Sequence, residues 1–166
     1  GASSGIGRAL AQEYGERGWH LALLARNFDK LLQLKDELSG KASSILCLST
    51  DVSKEEECKN AMDEIIATYG RIDVLINNAG ISMRALFKDV DLNVIRRLMD
   101  VNFWGTVYCT KYALSSLLAN KGSVIGIVSI AAYVGLPGRT GYSASKFAIR
   151  GFLETLRTEN LRNGLH

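Results

Sequence analysis

This 166-residue sequence predicts a doubly wound α/β domain built on a parallel sheet. Three observations carry that expectation. Strand-like apolar runs alternate with amphipathic helix-like runs along the whole length, as in folds that cover both faces of a sheet. The connections between the runs are short. The opening stretch "GASSGIGRAL" places Gly1, Gly5 and Gly7 at the entry to a helix, where glycine lets the backbone turn tightly and approach a ligand closely.

The elements follow in order. "GIGRALAQEYGERG" has helical apolar spacing and ends on Gly18, a plausible C-terminal cap. "WHLALLA" reads as a buried strand. "NFDKLLQLKDELSG" is an amphipathic helix with Leu31, Leu34 and Leu38 on one face, and "ASSILCLST" is the next strand. "SKEEECKNAMDEIIATYG" opens on Ser53 with Glu56 three residues on, the signature of a capping box. "RIDVLINNAG" is a strand ending in a polar turn. One long helix is expected from about Asp91 to Leu118, then a strand, "GSVIGIVSI", and a last helix from about Gly141 to Arg162. The single proline, Pro137, falls in a loop. No repeat, linker or low-complexity tract divides the chain, so residues 1–166 form a single domain.

Bulk properties narrow the function. Hydrophobic residues make up 47% and charged residues 22%, an ordinary globular balance. A net charge of +3 with scattered Lys and Arg gives no basic stripe, which argues against a nucleic-acid partner. Cys47, Cys58 and Cys109 are odd in number and lack paired spacing, so free thiols in a reducing compartment are expected, with neither a disulfide framework nor a metal site. No apolar run is long enough to span a bilayer and no secretory signal is visible, so the expected location is cytoplasmic.

The three glycines suit a phosphate cradle. The helix beginning near Ile6 would offer free N–H groups and the positive end of its dipole to a pyrophosphate. The order here is G-x-x-x-G-x-G rather than G-x-G-x-x-G; alone, it fits a ligand-free glycine turn equally well. Such a turn should also follow a strand, and in a nucleotide-binding sheet that strand lies at the centre. The sequence is accordingly expected to be an excerpt, with a sheet open at its middle and lacking the first and the C-terminal strands.

The second half is more specific. In "VSIAAYVGLPGRTGYSASKFAI", Tyr142 and Lys146 are four residues apart and share a helical face. Ser129 lies thirteen residues before Tyr142, at a strand end, where sites form in open α/β sheets. Together with the glycines, "NNAG" at 77–80 and Asn102 in "VNFWGT", the chain resembles the short-chain dehydrogenase/reductase family, the Rossmann-like three-layer group with a Y-x-x-x-K active site. The resemblance covers essentially the whole chain, with the motifs in family order and at family spacing.

That resemblance implies roles. Gly1, Gly5 and Gly7 would line the cofactor phosphates, with Ser3, Ser4 and Ile6 of the same turn in the cofactor-binding set. Asn77, Asn78, Ala79 and Gly80 would support the sheet and pass the cofactor ribose, with Asn78, Ala79 and Gly80 in the cofactor-binding set. Asp51 would accept from the adenine amino group, with Val52 against the ring. Asn102, Ser129, Tyr142 and Lys146 would form the catalytic tetrad, with Asn102 holding a water that links Lys146 to solvent. The pattern departs from the family at Val128-Ser129, often Ser-Ser, and at Ala131-Ala132, often Ala-Gly. The threonine before the glycine motif and the C-terminal substrate segments have no counterpart here.

The chemistry follows from the residue types. A ketone accepts hydride only if its developing oxyanion is protonated or stabilised. Tyr142 can donate that proton, and a cation at Lys146 lowers the cost of the phenolate left behind, whose ordinary pKa is about 10. Ser129 would orient the substrate oxygen, and Lys146 would also bond the nicotinamide ribose. Singly, each of the four residues is better read as structural; together, beside a nucleotide motif, they read as catalytic. At the end of the strand "WHLALLA", which the resemblance makes the family's second, "LLARN" puts Ala25 where the family's NAD(H) members carry Asp, followed by Arg26. Arginine there suits the 2′-phosphate of NADP(H), with Ser3 adding a hydroxyl; NADP(H) is therefore the preferred cofactor, with NAD(H) possible. The expected function is an oxidoreductase that interconverts a small-molecule carbonyl and an alcohol. The alternative is a non-catalytic dinucleotide-binding sensor or scaffold. Apolar residues on more than one side of the last two long helices, among them Trp104, Tyr108, Phe147 and Phe152, call for cover beyond the sheet, from a second copy or from C-terminal segments; the resemblance implies a homodimer or homotetramer.

Overall fold

The computed structural model describes residues 1–166. Four strands are parallel in two pairs. β1 (His20–Ala25) pairs with β2 (Ser44–Ser49) in the register Leu21↔Ile45 to Ala25↔Ser49. β3 (Val74–Asn77) pairs with β4 (Ser123–Gly126) in the register Val74↔Ser123 to Asn77↔Gly126. Between the first pair lies α2 (Phe28–Glu37), and α3 (Glu55–Tyr69) leads from β2 to β3. α1 (Gly5–Glu16) precedes β1. The remaining helices are α4 (Leu92–Leu98), α5 (Gly105–Ala119) and α6 (Thr140–Glu159).

The layering comes from strand alternation. Successive side chains point to opposite faces, and in β1 both faces are apolar. Leu21, Leu23 and Ala25 pack with Ala11 of α1 and with Leu31, Leu34 and Leu38 around α2. Ala22 and Leu24 face the other way, toward Cys58 and Met62 of α3 and Ala113 and Leu117 of α5. The leucines chosen from the helical spacing at 31, 34 and 38 are at most 2% exposed. At about 25 cal/mol per Å² of apolar surface, such fully buried side chains contribute about 1.5–3 kcal/mol each.

β1 and β3 do not pair with each other. A cavity of about 570 Å³ separates them, lined by Leu21–Leu24 on one side and Val74–Asn77 on the other. Residue 1 bridges the two pairs above this cavity. The amino group of Gly1 donates to Leu24 O at 2.5 Å, and Gly1 O accepts from Asn78 Nδ2 at 3.0 Å.

Three expectations about local structure need correction. The expected helix from Asp91 to Leu118 is not uniform: Met99–Trp104, between α4 and α5, is π-helical. The capping box at Ser53 does not form. Ser53 instead donates its hydroxyl and its N–H to Asp51 Oδ1, at 2.8 and 3.1 Å, and the Glu57 carboxylate accepts the Asp51 N–H at 2.7 Å. Asp51 competes for the serine that would have capped α3, and the acid that reaches back sits one residue later than the motif places it. The strand "GSVIGIVSI" stops at Gly126, so Ser129 stands beyond the strand and begins a 3-10 turn over Ile130–Ala132. No helix is long and apolar enough to cross a membrane.

Candidate active site

The strands are parallel within each pair, and residues that follow the C-terminal ends of all four share one cleft of about 800 Å³. Arg26 enters it from β1, Asp51 and Val52 from β2, Asn78, Ala79 and Gly80 from β3, and Ile127 and Val128 from β4. Gly1, Ser3, Ser4 and Ile6 form one wall; Tyr142 and Lys146 of α6 close the opposite end.

The glycine turn divides its labour. Gly5 has φ +54° and open space at its Cβ position, so it is there for backbone conformation. Gly7 is buried and does not line the cleft. A Cβ at Gly7 would overlap the Gly1 carbonyl and stand 2.5 Å from Asn78 Nδ2; one at Gly1 would stand 2.8 Å from Ala79 Cα. Of the three glycines expected to line the phosphates, Gly1 is among the residues lining the cleft, Gly5 is not, and neither is Gly7. Its lack of a side chain lets α1 close against the Asn78–Ala79 turn, and this brings the first turn of α1 to the cleft. Ser4 precedes that turn in extended conformation and makes no side-chain cap, so the first N–H groups of a 12-residue helix stay available there.

Asp51 keeps a charged carboxylate. Burial opposes its charge, but the two bonds from Ser53 and the positive charges of Arg26 and Lys54 outweigh burial and hold its pKa below the ordinary value. Behind Val52, α5 comes so close that a Cβ at Gly105 would lie 2.8 Å from the Val52 side chain. Nothing in the motif reading singled out Gly105; its signal is a glycine in the middle of an apolar helical run.

Lys146 is 5% exposed. Its Nζ donates to Ile127 O at 2.7 Å and lies 5.8 Å from the centroid of the Tyr142 ring. No carboxylate pairs with it. Burial therefore lowers its pKa. The sign follows: below that lowered value the buried ammonium costs stability, and the cost is relieved as pH rises through it. A cation is thus held at a carbonyl beside the phenol, with its other two N–H donors uncommitted. Ile127, which supplies the carbonyl, was not legible in the sequence; its oxygen is exposed because β4 ends one residue earlier.

Asn102 is fully buried in the π-helical segment. Its Oδ1 accepts from Ile81 N at 2.8 Å, and its Nδ2 donates to Ile81 O at 3.0 Å and Ser145 Oγ at 2.9 Å. Ser145 in turn donates to Tyr142 O at 2.8 Å. The side-chain amide spends both Nδ2 donors on protein partners, so a water held by Asn102 would donate to one of its oxygens. Asn102 also fastens α6 to the loop after β3, at the turn carrying Tyr142. The π-helix, which frees backbone groups from regular pairing, lets this side chain face α6, and Thr106 Oγ1 donates to the Asn102 carbonyl at 2.8 Å. Ser145 was missed in the sequence, although it directly precedes Lys146 on the helix of Tyr142. Ser129 Oγ accepts from Ala131 N at 3.2 Å and stands one residue past Val128, outside the residues that line the cleft.

A parallel α/β sheet with a glycine turn at a helix start, and a tyrosine and a buried lysine at the far end of the same cleft, defines a dinucleotide-binding domain of the oxidoreductase type. The model of the short chain dehydrogenase family matches residues 1–166, and the chain belongs to that family. Its relatives include an 11-beta-hydroxysteroid dehydrogenase A from Arachis hypogaea, 43% identical over 161 residues, covering 96% of this chain and 46% of the relative. An 11-beta-hydroxysteroid dehydrogenase-like 3 from Arabidopsis thaliana is 43% identical over 162 residues, covering 96% and 52%. The chain thus spans about half the length of these curated relatives. Among solved structures, an alcohol dehydrogenase from Thermococcus sibiricus complexed with 5-hydroxy-NADP superposes with a TM-score of 0.94 at 29% identity, covering 96% of this chain and 68% of that one. A short-chain dehydrogenase from Streptomyces avermitilis gives 0.93 at 30%, covering 99% and 61%.

Proposed function

We propose that the protein is an NADP(H)-dependent oxidoreductase that interconverts a carbonyl and an alcohol, with Tyr142 as the general acid and base. The observation that carries this reading is the buried, unpaired Lys146 ammonium 5.8 Å from the Tyr142 ring, at the end of the cleft opposite the glycine turn. The names of the plant relatives and of the archaeal alcohol dehydrogenase support a carbonyl/alcohol pair as substrate. Domain assignment follows the same reading: residues 1–166 are one NAD(P)-binding unit.

The residues fit a dinucleotide. The cleft brings together two differently built regions: free helix N–H groups beside Ser3, Ser4 and Ile6, and a phenol with an ammonium. Ser3, Ser4 and Ile6 would flank the phosphates; Asp51 and Val52 would hold the adenine; Ala79 and Gly80 would pass the ribose. The nicotinamide, when bound, supplies or accepts the hydride. Tyr142 donates its phenolic proton to the oxygen of the reduced carbonyl, and takes it back in the oxidative direction. Lys146 stabilises the phenolate between these events, a benefit made larger by the low-dielectric setting that burial provides. Ser129 orients the substrate oxygen. Asn102, bonded to Ser145 and Ile81, keeps the turn of α6 that carries Tyr142 in place.

The cofactor preference rests on Arg26. It is exposed, lines the cleft and has no carboxylate partner, while Ala25 offers no acid to a ribose 2′-hydroxyl. A guanidinium bonded to a 2′-phosphate contributes about 1.5–3 kcal/mol. The whole protein is expected to have the lower KM for NADPH, and Arg26→Asp is expected to shift the NADPH/NADH ratio of kcat/KM toward NADH by about 10–100-fold. Michaelis constants for both cofactors check this; a wild-type preference for NADH contradicts it. The same reading includes self-association through α6 and the π-helical segment that leads into α5, where Phe147 and Trp104 remain 44% and 43% exposed.

A further inference from the structure

Tyr142 has a second cation beside it. The Arg139 guanidinium carbon lies 5.8 Å from the Tyr142 ring centroid, the same distance as Lys146 Nζ, and one turn earlier on the chain. Its NH1 donates to Ser82 Oγ, and Ser82 lines the cleft with Tyr142. Ser82 is neutral, and no carboxylate pairs with the guanidinium. Most of the five N–H donors of an arginine are thus uncommitted here.

Two features show that this placement is not required by the fold. Arg139 occupies the N-cap position of the 20-residue α6 and makes no capping bond; a cation is electrostatically disfavoured at that end of a helix. The two loops it joins are already fastened by a main-chain bond, Ala85 N to Gly138 O at 3.1 Å. A charge kept half-buried at an unfavourable helix end, unpaired, beside the reactive phenol, is what a site for an anionic group would contain.

Building on the oxidoreductase reading above, we propose that Arg139 is a specificity-determining residue that takes the carboxylate of an acidic carbonyl substrate, one whose acid lies a few carbons from the carbonyl reduced at Tyr142. The bidentate geometry of guanidinium and carboxylate would also fix which face of that carbonyl meets the hydride. Ser82, which lines the cleft, is the guanidinium's side-chain partner, and the carboxylate would take the remaining donors.

The test compares benzoylpropionate with benzoylpropionamide, a matched acid and amide, on the whole protein with NADPH. Wild type is expected to favour the acid in kcat/KM by about 10–100-fold, the range of a charged hydrogen-bonded pair. Arg139→Gln, which can still bond Ser82, is expected to lose that preference; Arg139→Lys and Ser82→Ala are expected to retain most of it. A merely structural clasp would instead be kept by Arg139→Gln and broken by Ser82→Ala, so any loss would fall on Ser82→Ala. A wild-type ratio near one, or an unchanged ratio in Arg139→Gln, overturns the proposal. Should neither compound be turned over, the thermal shift of the protein–NADP⁺ complex decides: the acid must stabilise more than the amide in wild type and not in Arg139→Gln, and equal shifts overturn the proposal. Failure to reduce any carbonyl would count against the oxidoreductase reading, whereas reduction of neutral carbonyls without an acid preference would count against Arg139 alone.

Discussion

Tyr142→Phe is expected to lower kcat for carbonyl reduction by about 10²–10⁴-fold, the usual range for a positioned general acid. The substitution removes one oxygen and leaves the ring that lies between Arg139 and Lys146. The anchors of this turn are the Tyr142 carbonyl, which accepts from Ser145, and the Ser145–Asn102 bond. Neither involves the phenol. The fold and the affinity for NADP(H) should therefore stay within a few-fold of wild type, so the loss falls on kcat. Steady-state kinetics with cofactor titration on the same preparations separate the two quantities. Activity within threefold of wild type would transfer the proton donor to another group. Wild-type protein that binds cofactor and turns over no carbonyl would favour the non-catalytic sensor.

Gly7→Ala is the second large effect, and it reads the other end of the cleft. The new Cβ has nowhere to go: the Gly1 carbonyl overlaps it and Asn78 Nδ2 stands 2.5 Å away. The Gly1 oxygen is itself the acceptor for Asn78, so relieving the clash pulls α1 from the turn after β3. Overpacking of this kind costs about 1–3 kcal/mol, which in a chain of this size lowers Tm by about 2–12 °C. Because the wall that moves carries Ser3, Ser4 and Ile6, NADP(H) affinity should fall by about tenfold or more. Gly5→Ala is the contrast. Its Cβ meets nothing within 4 Å, and only the φ of +54° is strained, at about 1–2 kcal/mol. Melting curves with and without NADP⁺ measure both effects, and a Gly7→Ala protein with unaltered Tm and cofactor affinity would contradict the packing described for the turn.

The sequence exposed the periodicities and left the exceptions to them hidden. Leu31, Leu34 and Leu38 were legible because one helical face must meet one sheet face, and β1 was legible because both of its faces are covered. The π-helical segment at Met99–Trp104 left no trace, because a single widened turn barely disturbs an apolar pattern spread over many turns. Its consequence, the inward placement of Asn102, was therefore visible only as a motif residue, and its bonds to Ile81 and Ser145 were not. The capping box at Ser53 failed because Asp51 takes both the hydroxyl and the N–H of the serine, while Glu57 takes the Asp51 N–H.

The candidate site shows the same division. Tyr142 and Lys146 were legible from a spacing of one helical turn. The partner that holds Lys146, the Ile127 carbonyl, was not, because any residue type offers a carbonyl and only the early end of β4 frees this one. Gly7 was legible as a glycine but not in its role, since conformational freedom and close packing call for the same residue. Arg139 carries no motif, and nothing in its sequence context sets it apart from an ordinary loop charge.

The central claim, that hydride and proton meet at Tyr142 in the cleft the glycine turn opens, is tested most directly by a crystal structure of the whole protein with NADP⁺. The account predicts the pyrophosphate against the first turn of α1, the ribose hydroxyls of the nicotinamide bonded to Lys146 Nζ, and the nicotinamide ring beside the Tyr142 hydroxyl. A cofactor bound in the reverse sense, or with its nicotinamide remote from Tyr142, would contradict it.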